Sequence, residues 1–276
     1  MRKFNFWTSK FLIVFGFIWL LVEPAGLFFE DVSKLGWAGY IGIIVVSTIT
    51  TAALFWPKRR ATKHFTDANT TITVSSSDIL DQTGSIVIAV SDTFDTEIGD
   101  IINKDSLIGQ LLLTRYSGDS SRANFDIEKA LAGKDGHEDC SKIFGKKLRY
   151  PIGTVAPLIQ GDSTYFLLAM NEMMAKEKRV KTDLRKIGVA LDSAWESIRS
   201  NGNHCPAHIP LVGTRFGRSG LTPLFVAQLI VSFFLIASRT EQVAPELTIH
   251  VHRSNASTFD FNAMQSWLNS VSHQNG

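Results

Sequence analysis

The chain has 276 residues, 45% of them hydrophobic and 20% charged, and a formal net charge of +2 at pH 7. So small a net charge gives no global attraction toward DNA or RNA, and nucleic acid is not a predicted partner. The 2 cysteines are too few for a disulfide framework, which fits a reducing compartment. Apolar residues concentrate at the N-terminus, and the chain beyond about residue 60 has the composition and length of one globular domain.

Two apolar segments, 11–29 and 35–56, lie near the N-terminus and are joined by the polar residues 30–34. The second segment has no charged residue over about 22 positions, which is enough to cross a hydrocarbon core of roughly 30 Å. Basic residues flank both outer ends, so both ends are expected in the cytoplasm. We therefore predict a transmembrane hairpin over residues 1–60 that anchors a cytoplasmic domain. The flanking basic residues are Arg2, Lys3, Lys10, Lys58, Arg59, Arg60 and Lys63.

A cleavable signal peptide is the alternative interpretation of the first segment, because residues 1–22 have a basic start and an apolar centre. The sequence Glu23-Pro24-Ala25-Gly26 is a poor cleavage site, and a second apolar segment follows directly, so the hairpin is favoured. The second segment also carries small residues that allow close helix packing, within the hairpin or between copies in a homo-oligomer. These small residues are Gly36, Gly39, Gly42 and Ser47.

Residues 61–69 are predicted to be a polar linker and residues 70–276 an α/β domain. Strand patterns alternate with helical patterns, which predicts a mixed or parallel sheet covered by helices on both faces. The predicted strands are 71–75, 85–90, 163–169, 208–212 and 247–251, and the predicted helices include 184–198 and 261–271.

The uncharged run Leu221–Ala237 has two interpretations. It is about 17 residues long, short for a third membrane helix, and it contains Gln228. Thr222 and Pro223 are typical of an N-cap and a first helical position. Strand patterns flank the run on both sides, which favours a helix buried against the sheet.

A glycine-rich loop, residues 213–220, follows the fourth predicted strand and opens this helix. Glycines let backbone amides approach an anion, and a helix N-terminus adds partial positive charge. Arg215 and Arg218 would add charge-assisted hydrogen bonds. The spacing matches neither a Walker A loop nor a GxGxxG fingerprint, and a plain turn before a helix is the alternative.

The second predicted strand ends in a polar cluster, Ser91 to Thr96, where ligands of open α/β sheets commonly bind. The alternative is a capped loop in which Asp92 or Asp95 begins a helix. His204, Cys205 and His208 lie close in sequence, but no second pair completes a zinc site, so no metal is predicted. No catalytic residues and no resident cofactor are predicted either.

With these elements in order, the domain resembles a macro domain, the ADP-ribose-binding α/β/α fold. It is more similar to the divergent macro domain of membrane-anchored Thoeris antiphage effectors, over roughly residues 70–270. Ser77-Asp78-Ile79-Leu80 stands where the family has Gly-Asp-Ile-Thr, whose aspartate holds the adenine amino group. Residues 89–92 stand where the family has an Asn-Ala-Ala-Asn loop, and residues 211–217 match its phosphate loop, with Phe216 against the distal ribose.

The resemblance implies a three-layer α/β/α fold and a site for an ADP-ribose derivative. The expected ligand-binding residues are Asp78, Ile79, Ser91, Asp92, Thr93, Phe94, Asp95, Gly213, Thr214, Arg215, Phe216, Gly217 and Arg218. The Asn-Ala-Ala-Asn motif and the glycine triplet of hydrolytic macro domains are absent, and residues 93–99 replace them. Binding is therefore expected rather than hydrolysis.

The resemblance also implies a function: an antiphage effector in the bacterial inner membrane that binds an NAD-derived signal and disrupts the lipid bilayer. A partner TIR-domain enzyme would make that signal, such as histidine-ADP-ribose. A membrane-tethered ADP-ribosyl hydrolase is the alternative, and an anchored module that recruits ADP-ribosylated proteins is a third hypothesis.

Overall fold

The structure is a computed structural model that describes residues 2–28, 36–56, 58–177, 179–181, 183–211 and 221–271. The chain forms two compact units, Met1–Lys58 and Arg59–Gly276.

The first unit is a pair of helices, α1 (Arg2–Phe28) and α2 (Gly36–Phe55). Each contains a stretch long and apolar enough to cross a membrane. The two helices pack through a narrow face that buries Val14 of α1 and the small polar Ser47 and Thr51 of α2. Ring stacking between Trp19 and Tyr40, with centroids 5.6 Å apart, extends this contact. The predicted pair of apolar helices is therefore present, and most of its apolar surface faces outward.

The second unit is built on a mixed sheet. Its strands are β1 (Arg60–Phe65), β2 (Thr70–Ser75), β3 (Gly84–Ser91), β6 (Val155–Gln160), β7 (Ser163–Met173), β8 (Val180–Lys181), β9 (Ala207–Pro210) and β10 (Glu246–His250). The strand order is β1-β2-β10-β9-β3-β7-β6, with β8 paired to β7. The five central strands, from β2 to β7, run parallel, and β1, β6 and β8 pair antiparallel. A separate ribbon joins β4 (His137–Glu138) to β5 (Leu148–Arg149).

Helices cover the sheet in two layers, each closing its own apolar core. On one face lie α5 (Ile187–Asn201), α6 (Pro223–Thr240) and α7 (Phe261–Val271). On the other face lie α3 (Leu107–Arg115) and α4 (Ser120–Ala130), which pack on β3, β6 and β7. The domain is therefore a three-layer α/β/α sandwich, as predicted.

Helix α6 is the apolar run whose placement the sequence left open. Its face packs into the core of the α/β domain, where Phe234 meets Trp195 of α5 edge to face with ring centroids 5.1 Å apart. The Thr222 side chain accepts a hydrogen bond from the Phe225 amide, and Pro223 follows it, as predicted. By length and composition alone, α6 is also a third candidate membrane span.

Residues 60–65 differ from the prediction, because they form strand β1 rather than part of a linker. Ala61 and Phe65 alternate inward and are buried, while the backbone pairs with β2 in register from Arg60 opposite Ser75 to Phe65 opposite Thr70. Thr62 and His64 point to the other face of this edge strand, and Lys63, which shares the face of Ala61 and Phe65, is half-buried, so polarity alone did not mark a linker. The α/β domain therefore begins about ten residues earlier than the prediction of 70–276.

Candidate functional site

A cavity of about 690 Å³ opens at the edge of the sheet where the parallel strands end. All five parallel strands contribute to it at or just after their carboxyl ends. In open α/β sheets this edge is where ligands bind. The contributing residues are Ser77, Asp78 and Ile79 after β2, Val90 and Ser91 of β3, Met170, Asn171 and Met173 of β7, Pro210 and Leu211 at β9, and His250 and His252 at β10.

The opposite wall of the cavity comes from the chain entering α3. Ser106 caps this helix, accepting a hydrogen bond from the Gly109 amide at 3.1 Å. A side chain at Gly109 would collide with the Asn103 carbonyl oxygen, 2.3 Å from an ideal Cβ, so glycine lets residues 103–104 lie close against the helix. Leu107 and Ile108 of the first turn of α3 line the cavity, so the positive end of the helix dipole lies at its wall.

The lining combines apolar surface with charge of both signs. Methionine and isoleucine side chains supply most of the apolar wall, a composition typical of small-molecule sites. Arg179 and Lys181 supply positive charge, and Asp105 and Glu177 supply negative charge. These groups can hold an elongated polar ligand at several points.

Of the seven predicted ligand-binding residues that the structure describes, three line the cavity: Asp78, Ile79 and Ser91. Asp78 is exposed, and its Oδ1 accepts a hydrogen bond from the Leu80 amide at 3.1 Å, which fixes the turn after β2. One carboxylate oxygen therefore holds the loop while the other remains available at the mouth of the cavity. Ile79 is buried beside it.

Asp92 does not line the cavity, because its carboxylate is held in a buried cluster. Oδ1 accepts the Met173 amide at 2.8 Å, and Oδ2 pairs with the Arg149 guanidinium at 2.6 Å. Arg149 also pairs with Asp139 at 2.7 Å, and hydrogen bonds from Ser141 and Arg149 lower the pKa of Asp139 to about 2. Asp92 thereby ties the loop of residues 139–149 to β7.

Asp95 lies in a second buried cluster. Lys142, only 2% exposed, reaches its carboxylate with Nζ at 3.1 Å from Oδ2, and the Lys146 amide donates to Oδ1 at 2.7 Å. Thr93 donates to the same carboxylate and, through its hydroxyl, contacts Ser91 at 3.2 Å. The buried Phe94 takes a positive φ of 47° between these residues. Thr93, Phe94 and Asp95 thus stand behind the cavity wall, and their ligand-binding role stays a prediction.

The six predicted ligand-binding residues of the phosphate loop lie outside the described residues. They are Gly213, Thr214, Arg215, Phe216, Gly217 and Arg218. The described chain before the loop ends at Leu211, which lines the cavity. The role of the six loop residues stays a prediction.

A buried histidine pair at the same edge is a feature that the sequence did not predict. His208 of β9 and His250 of β10 meet with Nδ1 and Nε2 3.1 Å apart, and His250 lines the cavity. Burial lowers the pKa of His208, and burial together with the neighbouring His208 lowers the pKa of His250 to about 4. Both rings are therefore neutral near pH 7. Within the described part of the chain, no cluster of three or more metal-ligating side chains occurs.

The three-layer sandwich, with five parallel strands ending at one ligand-sized cavity, defines a macro-type domain. Solved macrodomain structures from Oceanobacillus iheyensis share this fold. One single-site variant matches with a TM-score of 0.51 and 9% identity, and the match covers 78% of this chain and 100% of that one. A second single-site variant matches with a TM-score of 0.53 and 12% identity, and the match covers 77% of this chain and 94% of that one. The same macrodomain with ADP matches with a TM-score of 0.52 and 11% identity, covering 78% of this chain and 100% of that one.

The family model described as the macro domain of the Thoeris protein ThsA matches residues 72–252. The chain therefore belongs to the family of Thoeris ThsA macro domains. The match begins within β2 and ends just after β10, so it spans the five parallel strands and nearly all of the residues that line the cavity. The comparison with curated protein sequences returned no match.

Proposed function

We propose that the chain is a membrane-bound antiphage effector whose macro domain binds an ADP-ribose-type nucleotide. The observation that carries this proposal is the cavity at the carboxyl edge of the sheet, with Asp78 at its mouth, in a chain of the Thoeris ThsA macro family. The cavity volume lies within the range of sites for small molecules and cofactors.

Each part of such a nucleotide has a matching wall in the cavity. Asp78 offers a carboxylate oxygen to an amino group, and Ile79 and Met170 offer apolar surface to a flat base. The amides of the first turn of α3, with Arg179 and Lys181, offer partial and full positive charge to a diphosphate. The predicted phosphate loop, residues 213–218, would add to this charge.

Binding rather than turnover is favoured by the state of the loop after β3. Hydrolytic macro domains have at this place the elements that position water and substrate. In this chain, residues 93–99 replace those elements. Asp92 and Asp95 are both engaged in buried ion pairs, so neither carboxylate stands ready to act as a base at the ligand. Hydrolysis of an ADP-ribosyl substrate by the purified chain would support the enzyme alternative instead.

The rest of the proposed pathway depends on family membership. The signal would be an NAD-derived nucleotide, such as histidine-ADP-ribose, made by a partner TIR-domain enzyme. Binding would act through the hairpin of α1 and α2 on the lipid bilayer, in a homo-oligomer in the bacterial inner membrane. A ligand shifts the equilibrium between two states of such an assembly only if it binds one state more tightly than the other. Ligand affinity and membrane disruption are therefore different quantities and need separate measurements.

Replacing Asp78 with alanine is expected to weaken ADP-ribose binding roughly ten- to a hundredfold, because a hydrogen bond to a charged group contributes about 1.5–3 kcal/mol. Titration calorimetry on the full chain in detergent measures the affinity. The nearby exposed Asp81, which does not line the cavity, provides a matched control, and Asp81→Ala should leave affinity unchanged. A folded wild-type chain that binds no ADP-ribose derivative would refute the proposed ligand class.

Both ends of the chain are expected in the cytoplasm, with two membrane crossings, because basic residues flank both outer ends of the hairpin. Reporter fusions at Gly276, and in place of the chain after Lys58, should both report the cytoplasm. A fusion after position 33, between the two helices, should report the exterior and serves as the control. An exterior signal from Gly276 would mean that α6 crosses the membrane instead of packing on the sheet.

A further inference from the structure

Helix α6 carries apolar side chains on its outer face as well as on the face that packs into the core. Phe225 and Ile236 are 49% and 61% exposed, and the half-buried Leu229 and Ser232 lie between them. These four residues are called the outer stripe. A helix that is apolar all round is normally covered on every side, and an exposed apolar patch commonly marks an interaction site. The outer stripe is therefore a surface that another element should cover.

The outer stripe has the spacing of a coiled-coil seam, with steps of four, three and four residues. This spacing favours packing against a second helix at about 20°. The stripe is also symmetric about its centre, so two copies of α6 can pair antiparallel. Phe225 of each copy then packs against Ile236 of the other, and Leu229 packs against Ser232.

An antiparallel pairing fits these side chains better than a parallel one. A parallel pairing would stack Phe225 on Phe225 and Ser232 on Ser232, which gives one crowded layer and one polar layer. The antiparallel pairing combines a larger and a smaller side chain in each layer, the arrangement that lets facing helices interdigitate. The Ser232 hydroxyl already has a partner, because it donates to the Gln228 carbonyl of its own helix at 2.8 Å.

The neighbouring helix α5 runs beside α6 in the same direction. Trp195 of α5 meets Phe234 of α6, and Arg199, one turn later, donates to the Ala237 carbonyl, which is also later in α6. Two copies that pair antiparallel through α6 therefore also bring their α5 helices alongside each other in opposite directions. The result is a four-helix arrangement of the kind found in antiparallel bundles.

The charges on the outer face of α5 fit this arrangement. Arg185, in the short turn before α5, and Glu196 lie four residues before and seven residues after the exposed Val189, on the same side of the helix. The Arg185 side chain is 93% exposed and that of Glu196 is 66% exposed. The centre of the outer stripe is level with the middle of α5, so the antiparallel pairing brings Arg185 of one copy toward Glu196 of the other. Opposite charges at the rim of an interface favour that register.

The lipid bilayer is the other surface that can cover an apolar stripe on a membrane-anchored chain. Helices that lie in a membrane interface usually carry Lys and Arg beside their apolar face. Here two exposed carboxylates, Glu196 and Glu241, lie near the Ile236 end of the stripe, where Arg199 pairs with both. The negative surface of the cytoplasmic leaflet would repel these carboxylates. A second copy of the chain is therefore the better occupant.

We propose that two copies of the chain associate through the outer stripe of α6 in an antiparallel, two-fold arrangement. Each copy contributes the same surface, so the contact is closed and self-complementary. Copies anchored in one bilayer meet at a raised effective concentration, which favours the contact even where it is weak between free domains. The contact belongs to the α/β domain and forms with or without the nucleotide, so it goes beyond the proposed function.

Cysteine cross-linking of the full chain in isolated membranes tests the pairing. Serine first replaces the two free cysteines, Cys140 and Cys205. A chain with Phe225→Cys and a differently tagged chain with Ile236→Cys are then co-expressed, and the membranes are treated with a mild oxidant. The antiparallel pairing predicts a disulfide between the two tags. It predicts none between identical chains, because like positions would stand about 16 Å apart along the helix pair.

Two sets of variants in both tagged chains test the contact itself. Ser232→Glu should lower the yield of the disulfide at least about tenfold, because it buries an unpaired charge at the centre of the contact. Ser121→Glu, at an exposed serine of α4 on the other face of the sheet, is the matched control and should leave the yield unchanged. Arg185→Glu should lower the yield about threefold, and adding Glu196→Arg should restore it, because the exchange pairs opposite charges again.

Thermal melting checks the fold, and the charge exchange decides alone if Ser232→Glu does not fold. A disulfide between like positions would overturn the antiparallel pairing. If no disulfide forms, a water-soluble maleimide shows whether the stripe is open to water or covered by lipid, and either result overturns the inference. A chain that forms the expected disulfide but binds no ADP-ribose derivative would instead overturn only the proposed function.

Discussion

Asp95→Ala is expected to destabilise the α/β domain by about 3–5 kcal/mol, because it leaves the Lys142 ammonium buried without its carboxylate. Both side chains are only 1% exposed, and Nζ lies 3.1 Å from Oδ2. Thr93 and the Lys146 carbonyl would still accept from Lys142, but neither carries a compensating charge. Chemical unfolding of the full chain in detergent, followed by circular dichroism, measures the change.

Removing both charges together should restore part of this stability, while the Lys146 amide and the Thr93 hydroxyl still lose the carboxylate to which they donate. Asp95→Leu combined with Lys142→Met replaces the ion pair with apolar side chains, which often costs little or even stabilises. The exposed pair of Lys186 and Glu172 provides the control, since breaking an exposed pair by Glu172→Ala should cost less than about 1 kcal/mol. An Asp95→Ala domain within about 1 kcal/mol of wild type would show that the buried pair does not hold the loop.

The same double variant tests the predicted ligand-binding role of Asp95. If Asp95 contacts the nucleotide, as the resemblance implies, ADP-ribose affinity should fall even though the domain is stable. If its only role is to fix the loop of residues 139–149, affinity should stay at the wild-type value. The structure favours the second outcome, since Asp95 stands behind the cavity wall.

Local patterns in the sequence were enough to predict the hairpin, the central strands and α6. The buried strands 84–91 and 246–250 are short apolar or alternating runs, and α6 begins at a recognisable cap, Thr222 with Pro223. Helices α3 and α4 were not predicted. Helix α3 is only 9 residues long with a glycine inside, so its helical pattern is weak, and tertiary packing on β3 supports it.

The parts of the site that the sequence missed are those made by distant residues. His208 and His250 are 42 residues apart and meet only because β9 and β10 pair in register. Lys142 lies 47 residues from Asp95, in a segment whose charges and glycines are typical of a solvated loop. No local sequence pattern indicates that one lysine of such a loop points into the interior. Asp78, in contrast, could be placed from the sequence because it follows a predicted strand directly.

Gly42→Leu is expected to abolish ligand-dependent membrane disruption while leaving ADP-ribose affinity unchanged. The hairpin buries Ser47 and Thr51 between its own helices, but an added Cβ at Gly42 would meet no atom within 4 Å. Gly42 therefore leaves a small, outward-facing surface of the kind that lets helices of neighbouring copies approach closely. A leucine there would keep copies apart without disturbing the pair of helices.

Dye release from liposomes that contain the purified chain measures this effect, with ADP-ribose or histidine-ADP-ribose added from outside. Leakage should require ligand in the wild-type chain and disappear in Gly42→Leu. The exposed neighbour Ile41→Leu keeps the side-chain volume and should leak like wild type. The proposal places ligand affinity in the α/β domain and leakage in the hairpin, so loss of leakage with intact binding would separate the two steps. If Gly42→Leu leaks fully, assembly does not use this surface of the hairpin. If wild-type liposomes stay sealed while an ADP-ribosyl substrate is hydrolysed, the enzyme alternative replaces the effector.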